Sequence, residues 1–205
     1  MTQPVSVAGV VFDGFELLDL FGPLEMFGLL PDHYRISLVG EQGEPVTSAQ
    51  GPVSVVDHAF ADSPAFDLLL VPGGRGTRRE VDNPVILEWL RQQAATARYV
   101  TSVCTGSALL ARAGLLDDRR ATTNKAAFGW VAQQGPAVDW QTRARWVEDG
   151  RFFTSSGVSA GMDMALAVIA DMLGVEQALE VATWSEYDWH RDPHHDPFAA
   201  VHGLD

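Results

Sequence analysis

Short apolar runs alternate along this chain with stretches of helical periodicity, and that alternation most restricts what it can fold into. Val5 to Phe12 is apolar and valine-rich, the pattern of a strand buried on both faces, and Leu17 to Leu30 then reads as a helix with Pro23 near its first turn. Tyr34 to Val39 predicts a second strand, and Val46 to Val56, broken at Gly51 and Pro52, a short hairpin. Asp67 to Val71 is a third buried strand, ending in Pro72, Gly73, Gly74, Arg75 and Gly76; a helix from Pro84 to about Ala97 follows, with Asn83 or Asp82 as its cap. Tyr99 to Val103 is the next strand and Ser107 to Ala113 the next helix. Ala121 to Thr123 suits a short strand, Lys125 to Gln134 a helix, and Arg143 to Val147 with Phe152 to Thr154 a hairpin about Asp149 and Gly150. Ser159 is placed to cap a helix through Leu173, and a last helix runs from about Val175 to Ser185. The order predicts an α/β fold: one doubly wound, flavodoxin-like, mostly parallel sheet with helices on both faces.

With 46% hydrophobic and 20% charged residues among 205, the chain suits a single domain over 1–205, its residues 185–205 forming an aromatic, histidine-rich tail. Its one cysteine permits no intrachain disulfide, and Thr2, Gln3 and Pro4 lead straight into a strand pattern without a basic region and cleavage site, so a cytoplasmic home is expected. No apolar stretch approaches the ~20 residues of a membrane helix. A net charge of −13 opposes phosphate backbones and anionic lipid, so neither nucleic acid nor membrane is an expected partner.

Cys104 sits where the Tyr99 to Val103 strand meets Thr105, Gly106 and the helix beyond. A sharp strand-to-helix turn exposes its side chain at the sheet's carboxyl edge, facing the helix's first free N–H groups, which lower a thiol's pKa from roughly 8.5. The residue is a candidate nucleophile; equally, free cysteines are often small buried hydrophobes.

Taken together, GFELLDLFGP, LLLVPGGRG, RYVTSVCTGSALLARAGLL, ATTNKAAF and SSGVSAGMDMAL resemble the ThiJ/PfpI superfamily, the group of type 1 glutamine amidotransferase-like domains that contains the Parkinson-associated protein. The resemblance reaches about Leu173 and is strongest to the isocyanide hydratase branch, through the leucine and aspartate before Gly22 and Pro23. It implies a nucleophile elbow at Cys104 and a partner carboxylate at Asp19, a residue that also reads as a helix cap or first-turn acid. Glu16 nearby reads as a solvated charge. A carboxylate beside a thiolate must share a proton, which Asp19 is expected to carry and deliver as a general acid. The resemblance places anion-stabilising backbone N–H groups at Gly74 and Thr105, with the Thr105 hydroxyl as a possible substrate contact. Gly73 and Gly74 on their own read as a plain turn, and Thr105 as a helix start. Val158 aligns with a pocket-wall aliphatic, though a valine before a helix is usually core; Asp163 reads as a first-turn acid. The resemblance further implies a homodimer, a small-molecule substrate, and neither cofactor nor metal.

Much of that superfamily carries a histidine after two threonines, where this chain reads Thr122, Thr123, Asn124. Asparagine is no base, and Asn124 is placed to cap the helix beginning at Lys125. This weakens a cysteine and histidine protease, glyoxalase or deglycase reading and leaves isocyanide hydration standing. In the tail, His190, His194 and His195 lie beside Asp192 and Asp196, but Pro193 breaks any helical spacing between His190 and His194, and Trp184, Tyr187, Trp189 and Phe198 point to packing over the domain or a partner subunit rather than metal binding. Two further readings stay open: a redox sensor working through oxidation of Cys104, and a ligand-binding module of the kind attached to transcription regulators.

Overall fold

The computed structural model describes residues 3–204; Met1, Thr2 and Asp205, part of the expected single domain and of the expected leaderless start, lie outside the described residues. Along the chain the strands are β1 (Val5–Val11), β2 (Tyr34–Gly40), β3 (Val46–Thr47), β4 (Val53–Ser54), β5 (His58–Ala59), β6 (Leu68–Val71), β7 (Tyr99–Val103), β8 (Arg120–Ala121), β9 (Asp139–Trp140), β10 (Trp146–Asp149) and β11 (Phe152–Ser155). The helices are α1 (Leu17–Gly28), α2 (Thr77–Glu80), α3 (Pro84–Thr96), α4 (Gly106–Arg112), α5 (Phe128–Ala132), α6 (Ala160–Leu173), α7 (Val175–Trp184) and α8 (Phe198–Val201).

Seven strands form the central sheet in the order β10-β11-β7-β6-β1-β2-β5. Every neighbouring pair is parallel except β10 with β11, which is the antiparallel hairpin that Asp149 and Gly150 signal in the sequence. The middle strands are apolar because both faces are covered: Leu68, Leu69, Leu70 and Val71 have no exposed surface. Each such side chain contributes roughly 1.5–3 kcal/mol of burial. The fold is thus the doubly wound, mostly parallel sheet expected. From β1 the chain winds one way to β2 and β5 and then returns to the other side through β6, β7 and β11, so the reversal lies between β1 and β6. In such sheets a crevice opens at the carboxyl ends of the strands beside that reversal.

Several local expectations are corrected. Pro23 is the seventh residue of α1, not near its first turn, and has no N–H for the carbonyl of Asp19 four residues back. The helix expected over Lys125 to Gln134 is confined to Phe128–Ala132: Asn124 Oδ1 accepts from Ala127 N at 2.9 Å and caps a turn that precedes it. Ser159 precedes α6 without capping it by its side chain; its hydroxyl faces Arg145 Nη2 at 3.4 Å. The short strand after Arg119 pairs in parallel with Asp139–Trp140, a partner the sequence pattern did not show. Asn83 caps α3, accepting from Val85 N at 3.0 Å, as expected.

The tail packs against the domain through Asp163. This buried carboxylate takes Arg145 Nη2 at 2.6 Å, Tyr187 Oη at 3.0 Å and the His190 backbone N–H at 2.9 Å, so it is more than a first-turn acid. Trp189 adds Nε1 to the Asp163 carbonyl at 3.2 Å. Tyr187 and Trp189 pack on the domain, whereas Trp184 is 80% exposed and Phe198 half exposed on its surface. No group of three or more His, Cys, Asp or Glu side chains able to hold a metal occurs among the described residues, and none of the helices is long and apolar enough to cross a membrane.

Candidate active site

Because β7, β6 and β1 are neighbours, the segments leaving their carboxyl ends lie side by side: residues 104–105 after β7, 72–76 after β6, and 12–16 leading into α1 after β1. Cys104 occupies the left-handed region at φ 56°, where a non-glycine residue carries strain on the order of 1–2 kcal/mol. Its surroundings over-determine that conformation. Its N–H donates to the carbonyls of Ser155 at 3.1 Å and Ser156 at 3.2 Å, and its carbonyl accepts from Thr123 Oγ1 at 2.8 Å and Ser107 Oγ at 3.1 Å. Thr123 is therefore a supporting residue that the sequence reading placed only within a motif.

Asp19 enters from the first turn of α1 and is fully buried. Its Oδ2 accepts the Gly73 N–H at 2.9 Å, while Oδ1 has no hydrogen bond of good geometry, and the Cys104 thiol lies within hydrogen-bonding reach of the carboxyl. Gly73 is required by this approach: a Cβ there would stand 2.6 Å from Thr105 N and 2.8 Å from Asp19 Oδ2. Glu16, N-terminal to α1, is half-buried and accepts from Gln50 Nε2, so it is less solvated than its sequence suggested.

Burial pushes the Asp19 carboxyl up to about 8, against the Gly73 N–H that holds it down and with the Glu16 charge adding to the rise. Burial also pushes the Cys104 thiol well above its usual range; the Asp19 charge adds to this, and the Thr105 N–H works against it. The expected depression of the thiol by the helix N-terminus is thus reversed, because Cys104 is 7% exposed and desolvation of the anion outweighs one helix end. Both shifts act against charge on the pair, and that of Asp19 is in the direction of the proton it is expected to carry.

The two expected N–H donors part company. Thr105 N–H faces the Cys104 sulfur, whereas Gly74 N–H, at a residue with φ 117°, is given to Thr105 Oγ1 at 3.1 Å. That hydroxyl also receives Thr77 Oγ1 at 3.0 Å, so Thr105 ties the two turns together. Val158 lines a cleft beside the cysteine turn, together with Leu18, Asn124 and the tail's Phe198 and His202. His190, His194 and His195 do not line it.

The model of the DJ-1/PfpI family matches residues 5–171. The isonitrile hydratase of Pseudomonas putida is 39% identical over 183 residues, 89% of this chain and 78% of that protein. An HTH-type transcriptional regulator, GbdR of Pseudomonas aeruginosa, is 32% identical over 191 residues, and this chain spans about half (52%) of its length. Among solved structures, a THiJ/PfpI family protein from Pseudomonas syringae superposes with a TM-score of 0.84 at 35% identity, over 90% of this chain and 76% of that one.

Proposed function

This chain belongs to the DJ-1/PfpI family, and on that footing we propose that it is a cysteine-dependent hydratase that adds water to a small isocyanide and releases an N-substituted formamide. The observation that carries this reading is the buried Asp19 carboxyl, held protonated up to about pH 8 within reach of the Cys104 thiol. The isonitrile hydratase it resembles at 39% identity supports the substrate class. An isocyanide is neutral, so it enters a buried, uncharged pair without the desolvation cost a charged substrate would carry.

The isocyanide carbon both accepts a nucleophile and takes a proton. Sulfur of Cys104 attacks it, forming the S–C bond, while Asp19 delivers its proton to that carbon; the thiol's own proton passes to Asp19. The product is a thioimidate on Cys104. Water then adds to the same carbon, a proton reaches the nitrogen through Asp19, and the C–S bond breaks to release the formamide and restore the thiol. Thr105 N–H, facing the sulfur, steadies the thiolate as it forms and as it leaves.

A redox-sensing role would work through the same Cys104 sulfur, and the 39% identity to an isonitrile hydratase favours the hydratase reading over it. Glyoxalase or deglycase chemistry is disfavoured by Asn124 at the histidine position. The reading carries a homodimer and a cytoplasmic setting with it as further proposals.

The purified protein, supplied with methyl or cyclohexyl isocyanide, is expected to form the matching formamide, with turnover abolished in Cys104→Ala and strongly reduced in Asp19→Asn. No formamide from the wild type across several alkyl isocyanides, or undiminished turnover by Cys104→Ala, overturns the reading.

A further inference from the structure

Asn124 follows the two threonines after which much of the superfamily it resembles carries a histidine, and its amide has a definite orientation. Oδ1 accepts the Ala127 N–H at 2.9 Å, which only an oxygen can do, so Nδ2 points the other way. That Nδ2 donates to no group among the described residues. It lies against Gly157: a Cβ added there would overlap Nδ2 and stand 3.0 Å from Cys104 Sγ. The amide and the sulfur therefore both lie against the Gly157 backbone, and the missing side chain of Gly157 is what lets the amide come so near.

Asn124, Gly157 and Val158 also line a cleft of about 340 Å³, together with Leu18 and with Phe198 of α8. Leu18 is 43% and Phe198 51% exposed, so apolar surface faces this opening. No Asp or Glu lines it, in a chain whose net charge is −13. Phe198 lies beyond residue 171, where the family match ends, and the contacts of Asp163 and Arg145 with the tail hold it there.

We propose that Asn124 is a substrate-binding residue whose Nδ2–H donates to the nitrogen of the molecule held on Cys104, while the apolar group on that nitrogen extends into the cleft between Val158, Leu18 and the tail's Phe198. This rests on the hydratase reading. When water attacks the thioimidate, the C=N electron pair moves onto nitrogen before that nitrogen takes its proton; an N–H already aimed there stabilises the developing charge. The donor acts on the second half of the reaction more than on the first, because in the S–C bond-forming step the charge develops on carbon and Asp19 quenches it. Asn124 thus helps without acting as a base, and the tail sets the size of substituent admitted.

The test is steady-state turnover of methyl and cyclohexyl isocyanide by the full chain, with intact-mass analysis of the enzyme during turnover. Asn124→Ser keeps a hydroxyl acceptor for Ala127 N–H and removes the amide donor. It is expected to lower kcat about ten- to a hundred-fold and to accumulate an adduct one substrate mass heavier on Cys104, with its melting temperature close to that of wild type. Phe198→Trp narrows the cleft and is expected to raise KM for cyclohexyl isocyanide at least about tenfold more than for methyl isocyanide. Turnover by the wild type that is equally fast in Asn124→Ser, or slowed without adduct, overturns the role of Asn124 and leaves the hydratase reading intact. An equal effect of Phe198→Trp on both substrates overturns the placement of the substituent. A wild type that hydrates no isocyanide overturns the hydratase reading and this inference together.

Discussion

Arg145 and Asp163 form a buried ion pair, 2.6 Å between Nη2 and Oδ2, and the tail is built onto it. Arg145 N donates to the Pro193 carbonyl at 2.8 Å, and the other carboxylate oxygen holds Tyr187 and His190. Removing the carboxylate leaves a guanidinium buried without its partner, which costs about 3–5 kcal/mol. Asp163→Asn is therefore expected to lower the melting temperature and to open the tail, read as new protease cleavage within residues 185–204. A tail as resistant as that of wild type contradicts this account of its docking.

Asp19 makes stability fall with pH. Its carboxyl ionises at 3.8 in its ordinary state and at about 8 in the fold. The stability it contributes is fully present below about pH 3.8 and is lost as the pH climbs to about 8, because over that window the unfolded chain has released a proton that the folded chain keeps. Asp19→Asn, which retains an acceptor for Gly73 N–H, removes this slope. The variant is expected to be more stable than wild type at pH 7, by a margin growing on the order of 1 kcal/mol per pH unit above about 4. Denaturant unfolding at several pH values checks it, and parallel wild-type and variant curves would show the carboxyl to be ordinary.

The left-handed turn at Cys104 reverses the usual ranking of glycine and alanine. At φ 56° alanine keeps the strain of a Cβ and glycine does not. Cys104→Gly is expected to exceed Cys104→Ala in stability by about 1 kcal/mol. Equal unfolding midpoints for the two would mean that the turn relaxes once the sulfur is gone.

Gly157 is expected to tolerate alanine in folding but not in chemistry. The new Cβ presses on the far end of the Asn124 side chain, which can yield, and at 3.0 Å on the Cys104 sulfur. Overpacking of this kind costs about 1–3 kcal/mol. Alkylation of Cys104 by iodoacetamide in Gly157→Ala should slow at least about tenfold; a rate equal to that of wild type would show the sulfur to be approached from another side.

Much of this arrangement is legible in the residues themselves. The apolar runs of β1, β6 and β7 announce parallel strands buried on both faces, and the passage from Val103 through Cys104 to Gly106 marks a sharp turn into a helix. Asp19, Gly74, Thr105 and Val158 are recognisable by motif, and the structure brings all four to the neighbourhood of Cys104. The boundaries that failed did so where short-range pattern competes with tertiary contact. Around Asn124, Thr122 Oγ1 binds the Gln141 carbonyl at 2.8 Å and the buried Lys125 Nζ binds the Ala144 carbonyl at 2.6 Å, so this segment is drawn into a network instead of a regular helix.

Sequence by itself determined the class of fold and the strand that delivers the cysteine, because periodicity and turn chemistry are local properties, while the accompanying acid, Asp19, was indicated by the resemblance of its motif to a known family. Tertiary structure alone decided the rest. It set the protonation of the pair, since the pKa values of Asp19 and Cys104 follow from how completely their neighbours exclude water. It secured the strained turn, since Thr123, Ser155 and Ser156 reach Cys104 from distant parts of the chain. It also turned Asp163 into the anchor of the tail and placed Asn124 and Phe198 on one cleft, relationships between residues far apart along the chain that only packing brings together.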